Sequence, residues 1–220
     1  LCSQPRPTPG VEEVLTEVGK ALESTAPRAL DWITLLGSGE PLLCDGIGEI
    51  LRGVKALTPL PVALLTNGAL LADPRVRAKV RAADAILPSL SAPTPELHLA
   101  LHRPHPRFPY HDHIRGLSEL RQEYTGRLWV EVMLVAGAND GEDALRRLAE
   151  RLQPVAPDEI HLNRPSRPPA EAWVRPPTPQ AMARARDILG EVAAVRTPAK
   201  GGPRPRTSLD GTESLREMVP

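Results

Sequence analysis

LWVEVMLVAGANDGEDALRRLAERLQPVAPDEIHL, residues 128–162, decides the fold. Leu128 to Val135 is an apolar run of the kind a strand buried on both faces carries. Gly137-Ala138-Asn139-Asp140 then caps a helix reaching to about Leu152, and Glu159 to Leu162 is a second short strand. Strand, helix and strand joined by short connections make a βαβ unit, which requires the two strands to be parallel. The unit is legible because the stretch from Tyr110 to Gln153 contains no proline, in a chain with 26 prolines among 220 residues.

The alternation extends outward in both directions. Upstream, Val11 to Ser24 has apolar residues at helical spacing after Pro9-Gly10, and Leu30 to Leu36 reads as a buried strand ended by Gly37. Ile47, Ile50, Leu51 and Val54 mark a helix, and Pro61 to Leu65 a strand closed by Thr66-Asn67-Gly68. Asp73-Pro74 is an N-cap with proline at N1, opening a helix to about Ala82, followed by a strand at Ala85 to Leu87. A proline- and histidine-rich loop then leads to a helix from about His111 to Tyr124. Downstream, Thr178-Pro179 opens a helix to Leu189, and Val192 to Val195 is a last short strand. At least five parallel strands follow, in a doubly wound sheet or a (β/α) barrel, closed or partial; periodicity does not choose between them.

Composition narrows the function classes. A hydrophobic share of 41% and a charged share of 25% belong to a globular chain. Lys+Arg 27 balance Asp+Glu 27, which removes a general attraction to nucleic acid or anionic membrane. No apolar run approaches the roughly 20 residues of a membrane helix. Two cysteines, Cys2 and Cys44, exclude a disulfide scaffold and predict a cytoplasmic protein. Leu1 in place of an initiator Met predicts a processed chain or fragment, and residues 197–220 a weakly basic, flexible tail.

In parallel α/β folds ligands bind at the carboxyl ends of the strands. There this sequence carries Gly37-Ser38-Gly39-Glu40-Pro41, whose glycines admit close backbone approach and whose Glu40 could hold a cationic amine. Thr66, Asn67, Ser89 and Ser91 follow the next two strands; each reads equally as a turn or cap residue. Glu131 lies inside an apolar strand, where a carboxylate is costly without a partner. Met133 shares its face, Cys44 reads as a small core residue, and Asn163 and Arg167 follow the strand ending at Leu162. An arginine beside Pro168-Pro169 suits a carboxylate or phosphate. Five of six histidines fall between His98 and His113. His98 and His102 share a helix face if that segment is helical, but an exposed loop is the simpler expectation, with a metal-dependent hydrolase using His98, His102 and His105 as the lesser one.

Taken in order, Gly37-Ser-Gly-Glu-Pro41, Leu65-Thr-Asn-Gly68, Leu87-Pro-Ser-Leu90, Arg103-Pro-His-Pro106, Leu128-Trp-Val-Glu-Val-Met133, Asn139-Asp140, His161-Leu-Asn163 and Arg167-Pro-Pro-Ala-Glu171 resemble the radical SAM proteins related to wyosine-base tRNA-modification enzymes. The resemblance spans about Val11 to Pro177. It implies a partial (β/α)6 TIM-like barrel over residues 11–196, lacking its first strand, which uses a [4Fe–4S] cluster to cleave S-adenosylmethionine to a 5′-deoxyadenosyl radical. It implies that Gly37, Ser38, Gly39 and Glu40 hold the methionine amino group, that Thr66, Asn67, Ser89 and Asn163 lie on the cofactor side, and that Glu131 and Arg167 are the catalytic candidates. An electron donor such as flavodoxin or ferredoxin and a substrate of the RNA class, such as tRNA, come with it. Ser91 and His102 depart from the family, which tends to carry Asp and Asn there. The cluster motif departs further: CxxxCxxC supplies three thiolates, and only Cys2, in a remnant cluster loop at residues 1–10, stands near the expected place. The expectation is an N-terminally truncated radical SAM enzyme; the alternative is a cluster-free ligand-binding paralogue on the same scaffold.

Overall fold

The computed structural model describes residues 10–24, 30–37 and 39–197. Cys2, Ser38 and most of the expected cluster-loop remnant and tail lie outside the described residues. The elements run α1 (Val11–Ser24), β1 (Ile33–Leu35), α2 (Ile47–Leu57), β2 (Val62–Thr66), α3 (Pro74–Val80), β3 (Ala85–Pro88), α4 (Pro95–His102), α5 (Tyr110–Glu123), β4 (Arg127–Met133), α6 (Glu142–Leu152), β5 (Glu159–Asn163), α7 (Pro179–Leu189) and β6 (Ala194–Arg196).

All five strand pairings are parallel, and the spatial order is β1-β2-β3-β4-β5-β6, the same as the order in sequence. A doubly wound sheet reverses direction at a switch point; this one never does, so its topology is that of a barrel wall. β1 pairs with β2 alone and β6 with β5 alone among the described residues, so the barrel is open. The alternation along β4 and β5 tells the two faces apart. Leu128, Val130, Val132, Ile160 and Leu162 are fully buried beneath the helices, while Trp129, Glu131 and His161 point to the concave face and are half-buried. Each fully buried leucine or valine contributes about 1.5–3 kcal/mol, which is why the register is fixed: a one-residue slip would exchange the two sets.

The strands differ from the sequence expectation at their ends. β1 is three residues where Leu30 to Leu36 was expected, because only Ile33, Thr34 and Leu35 meet β2 in register. β4 begins at Arg127 and ends at Met133 rather than Val135, because the side chain of Asn139 takes the Met133 carbonyl and the Val135 N–H. β3 and β4 pair at Ala85↔Arg127 and Ile86↔Leu128, lapse beside Pro88, and meet again at Ser89↔Glu131. Proline has no N–H to offer a ladder.

The largest difference is α4, in the segment expected as a loop. Its start signal was present: Thr94 accepts the Leu97 N–H at 3.3 Å and Pro95 occupies the first helical position.

Candidate functional site

At the end of β1, Glu40 caps the 3-10 turn Pro41–Leu43, accepting the Leu42 N–H at 3.0 Å. The same oxygen accepts the Thr66 hydroxyl at 2.5 Å, and the other accepts the Asn67 N–H at 2.7 Å. Burial pushes the Glu40 carboxyl above its usual range, against the pull of these three donors. Glu40 therefore joins the ends of β1 and β2, and Thr66 and Asn67 serve it directly. Asn67 also accepts the Ala69 N–H at 2.8 Å, capping the next turn. None of the described residues stands within 4 Å of where a Cβ on Gly39 would lie, so they leave its backbone open.

The second group forms across three strands. Glu131 on β4 accepts the Ser89 hydroxyl at 3.0 Å from beyond β3 and the Asn163 amide at 2.7 Å from the end of β5. These bonds settle the cost of a carboxylate in an apolar strand without a charged partner. Ser89, Ser91, Glu131 and Met133 form the floor of a cavity of about 330 Å³, with His102 and Arg103 on one wall and Glu171 and Trp173 on the other. Arg103 and Glu171 pair at 2.7 Å between those walls, and Arg103 holds a left-handed backbone (φ 47°) as the C-cap of α4. Arg167 is exposed, makes no ion pair among the described residues, and does not line the cavity.

The floor is held from behind by the histidines. His113 Nε2 lies 3.0 Å from the Ser89 carbonyl and, facing an acceptor, must donate. His102 Nε2 accepts the Ser91 N–H at 3.2 Å, and Tyr110 donates its hydroxyl to the Ala92 carbonyl at 2.9 Å. His98 packs between them, its ring centroid 4.8 Å from His102 and 5.1 Å from His113. The exposed-loop expectation is thus corrected: His98 and His113 are buried. Burial is the main cause of the low proton affinity of His98, His102 and His113; neighbouring rings add to it for His102, pushed down to about 3, and for His113, pushed down to about 4. No group of three or more His, Cys, Asp or Glu among the described residues could hold a metal ion, so the hydrolase expectation lacks a site there; His105 stands apart against Phe108.

Three of the sequence candidates, Glu131, Ser89 and Asn163, are joined by hydrogen bonds, and His102, Arg103, Glu171, Trp173 and Asn139 make contacts around them that the sequence did not anticipate. The Thr94-Pro95 helix start, taken with the HxxxH spacing, was the signal available for His102. Nothing local could pair Arg103 with Glu171, 68 residues away. Cys44 is half-buried and packs against the core.

No family model matches the sequence. A UPF0026 protein of Synechocystis is 36% identical over 152 residues, covering 69% of this chain and 57% of that protein. A Brachyspira hyodysenteriae protein named GTPase Obg is 30% identical over 152 residues, covering 69% of this chain and 22% of that protein. The chain thus spans little more than half the length of the first of these relatives and under a quarter of the second. Among solved structures, a radical SAM methyltransferase from Sphaerobacter thermophilus superposes with a TM-score of 0.65 at 22% identity, covering 87% of this chain and 57% of that one. A domain of pyruvate-formate lyase-activating enzyme from Bacteroides vulgatus gives 0.61 at 19% identity, covering 76% of this chain and 98% of that one. TYW1 with a lysine-pyruvate adduct gives 0.61 at 15% identity, covering 83% and 60%, so the likeness does not single out the wyosine branch. What these superpositions show is the fold: the chain is an open parallel (β/α) barrel of the kind radical SAM enzymes carry.

Proposed function

We propose that this chain is the S-adenosylmethionine-binding barrel of a radical SAM enzyme. The observation that carries the reading is the Ser89–Glu131 pair in the lining of a cavity at the carboxyl ends of the strands, with Asn163 bonded to Glu131 from the end of β5. The cavity fits the cofactor's chemistry. Its floor offers a carboxylate and two hydroxyls to polar groups such as the ribose, and Met133, Val135, Leu101, Trp173 and Val174 offer apolar surface to a base. The open backbone at Gly39 suits the methionine end, with the Glu40 oxygen that, among the described residues, accepts the Asn67 N–H alone as a further acceptor. In this reading Arg167 is a substrate-side residue rather than part of the cavity.

The described residues do not fit a [4Fe–4S] cluster, which needs three thiolates where they contain Cys44 alone. A second reading is a ligand-binding barrel without radical chemistry.

Two measurements separate them. The chain should bind S-adenosylmethionine, and Glu131→Ala should weaken binding about tenfold or more, since it removes the acceptor that orders Ser89 and Asn163. Equal binding by E131A would sink the site assignment. Anaerobic iron–sulfur reconstitution should give a cluster that is lost on exposure to air; its failure leaves the binding reading standing. RNA stays the substrate class to try first in the reconstituted enzyme.

A further inference from the structure

We infer that His102 is a ligand-binding residue of the cavity, a neutral imidazole whose Nδ1–H donates to a hydrogen-bond acceptor on the nucleoside part of S-adenosylmethionine. This rests on the cofactor reading above and adds to it a residue at which the sequence departs from the family it resembles.

The tautomer follows from one bond. His102 Nε2 faces the Ser91 N–H at 3.2 Å, and a peptide N–H can only donate. Nε2 is therefore the bare nitrogen, and the proton of the neutral ring sits on Nδ1. His113 shows the opposite arrangement, because its Nε2 faces the Ser89 carbonyl. The two rings brace neighbouring residues of the same loop through opposite tautomers.

The Nδ1 proton of His102 has no acceptor among the described residues. The Nδ1 atoms of His98 and His113 are enclosed and without a partner, whereas that of His102 is not enclosed, and its ring lines the cavity. The ring is also held still. The His98 ring lies against it with centroids 4.8 Å apart and planes tilted 31°, and the Ser91 bond fixes the rotation. A fixed donor on a ligand wall loses little entropy on binding.

The surroundings select the ligand atom. Ala100, Leu101, Met133 and Val135 bring apolar surface to the same cavity, and a carboxylate or phosphate entering it would find Arg103. What remains for a neutral N–H is an uncharged acceptor: a ring nitrogen of the base or an oxygen of the ribose. Glu131, an acceptor held by Ser89 and Asn163, complements it from the floor.

The test uses the chain labelled with ¹⁵N-histidine and two probes, S-adenosylmethionine and 5′-deoxyadenosine, followed by long-range ¹H–¹⁵N NMR. Before ligand, His102 should show a protonated Nδ1 and a bare Nε2, with His113 as the internal opposite. On addition of either probe the His102 Nδ1–H should move downfield. His102→Phe should weaken binding about tenfold. His102→Asn, which keeps one acceptor and one donor, should recover most of it. The opposite tautomer at His102, an unmoved Nδ1–H in the bound state, or equal binding by H102F each overturns the inference alone. Absence of binding by the parent chain overturns the cofactor reading and takes the inference with it. Should H102F fail to fold, H102N and the parent spectra still decide.

Discussion

Asn139 does more for the cavity floor than its place in a loop suggests. Its amide donates to the carbonyls of Ser91 and Met133 at 2.7 and 2.8 Å, and its oxygen accepts the Val135 N–H at 2.7 Å. The side chain is wholly buried. Removal takes the partner from two buried backbone groups, the Val135 N–H and the Ser91 carbonyl, and from the part-buried Met133 carbonyl, each buried loss costing about 1–3 kcal/mol. Asn139→Ala should therefore destabilise the chain by about 3 kcal/mol or more in urea unfolding. Asn139→Asp should fare no better, since a carboxylate would face two carbonyls. A loss under about 1 kcal/mol for N139A would show that the loop carries itself. The dipeptide Asn139-Asp140 stood in the sequence as a helix cap. Its actual work, tying the end of β4 to the β3 loop, depends on Ser91, 48 residues earlier.

Among the elements, α5 crosses the turn Ala69–Ala72 so closely that Gly116 is required. A Cβ there would stand 2.5 Å from the Ala72 nitrogen and 2.7 Å from the Leu71 carbonyl carbon. Helix propensity alone predicts that Gly116→Ala stabilises α5 by up to about 1 kcal/mol. The backbone clash opposes that with about 1–3 kcal/mol of overpacking, or more where both contacts are main chain. G116A should therefore lower the melting temperature; a rise would show that the turn yields. The same junction holds Arg77, buried at 4% exposure, which donates to the Leu71 carbonyl at 2.8 Å and pairs with Glu119 and Glu123 of α5 at 2.8 Å each. Local pattern revealed α3 and α5 as helices. The crossing of α5 over the turn Ala69–Ala72, and the reason a glycine sits mid-helix, belong to packing.

For the whole molecule the histidine cluster sets a pH dependence. His98, His102 and His113 all bind protons more weakly in the fold than the usual 6.5, down to about 3 for His102 and about 4 for His113. The unfolded chain takes those protons near 6.5 and the folded chain refuses them. Stability is thus fully present above 6.5 and is lost as pH falls below it, until the folded values are reached. Each histidine contributes a slope of about 1.4 kcal/mol per pH unit in that window. Glu40, whose carboxyl is raised by burial, works in the opposite sense, but it is one group against three. Urea unfolding between pH 7.5 and 5.5 should show a clear loss on acidification, and a flat profile would refute it.

The sequence by itself determined the class of fold, since helical and strand periods are local and each strand's apolar run survives without its neighbours. It also drew attention to Glu131 within β4, because a carboxylate in an apolar strand is anomalous on any pairing, while the cofactor-side expectation for Ser89 and Asn163 came with the family resemblance. Only the tertiary structure decided the rest. Barrel rather than doubly wound sheet is a matter of strand order, which β1 to β6 express through pairings between elements and not within them. That Glu40 is committed to Thr66 and Asn67, that Arg103 meets Glu171, and that two histidines brace one loop are contacts between residues 11 to 68 positions apart. Hydrogen bonds and burial act through space, and a linear pattern carries no record of which distant partner the chain brings within 3 Å.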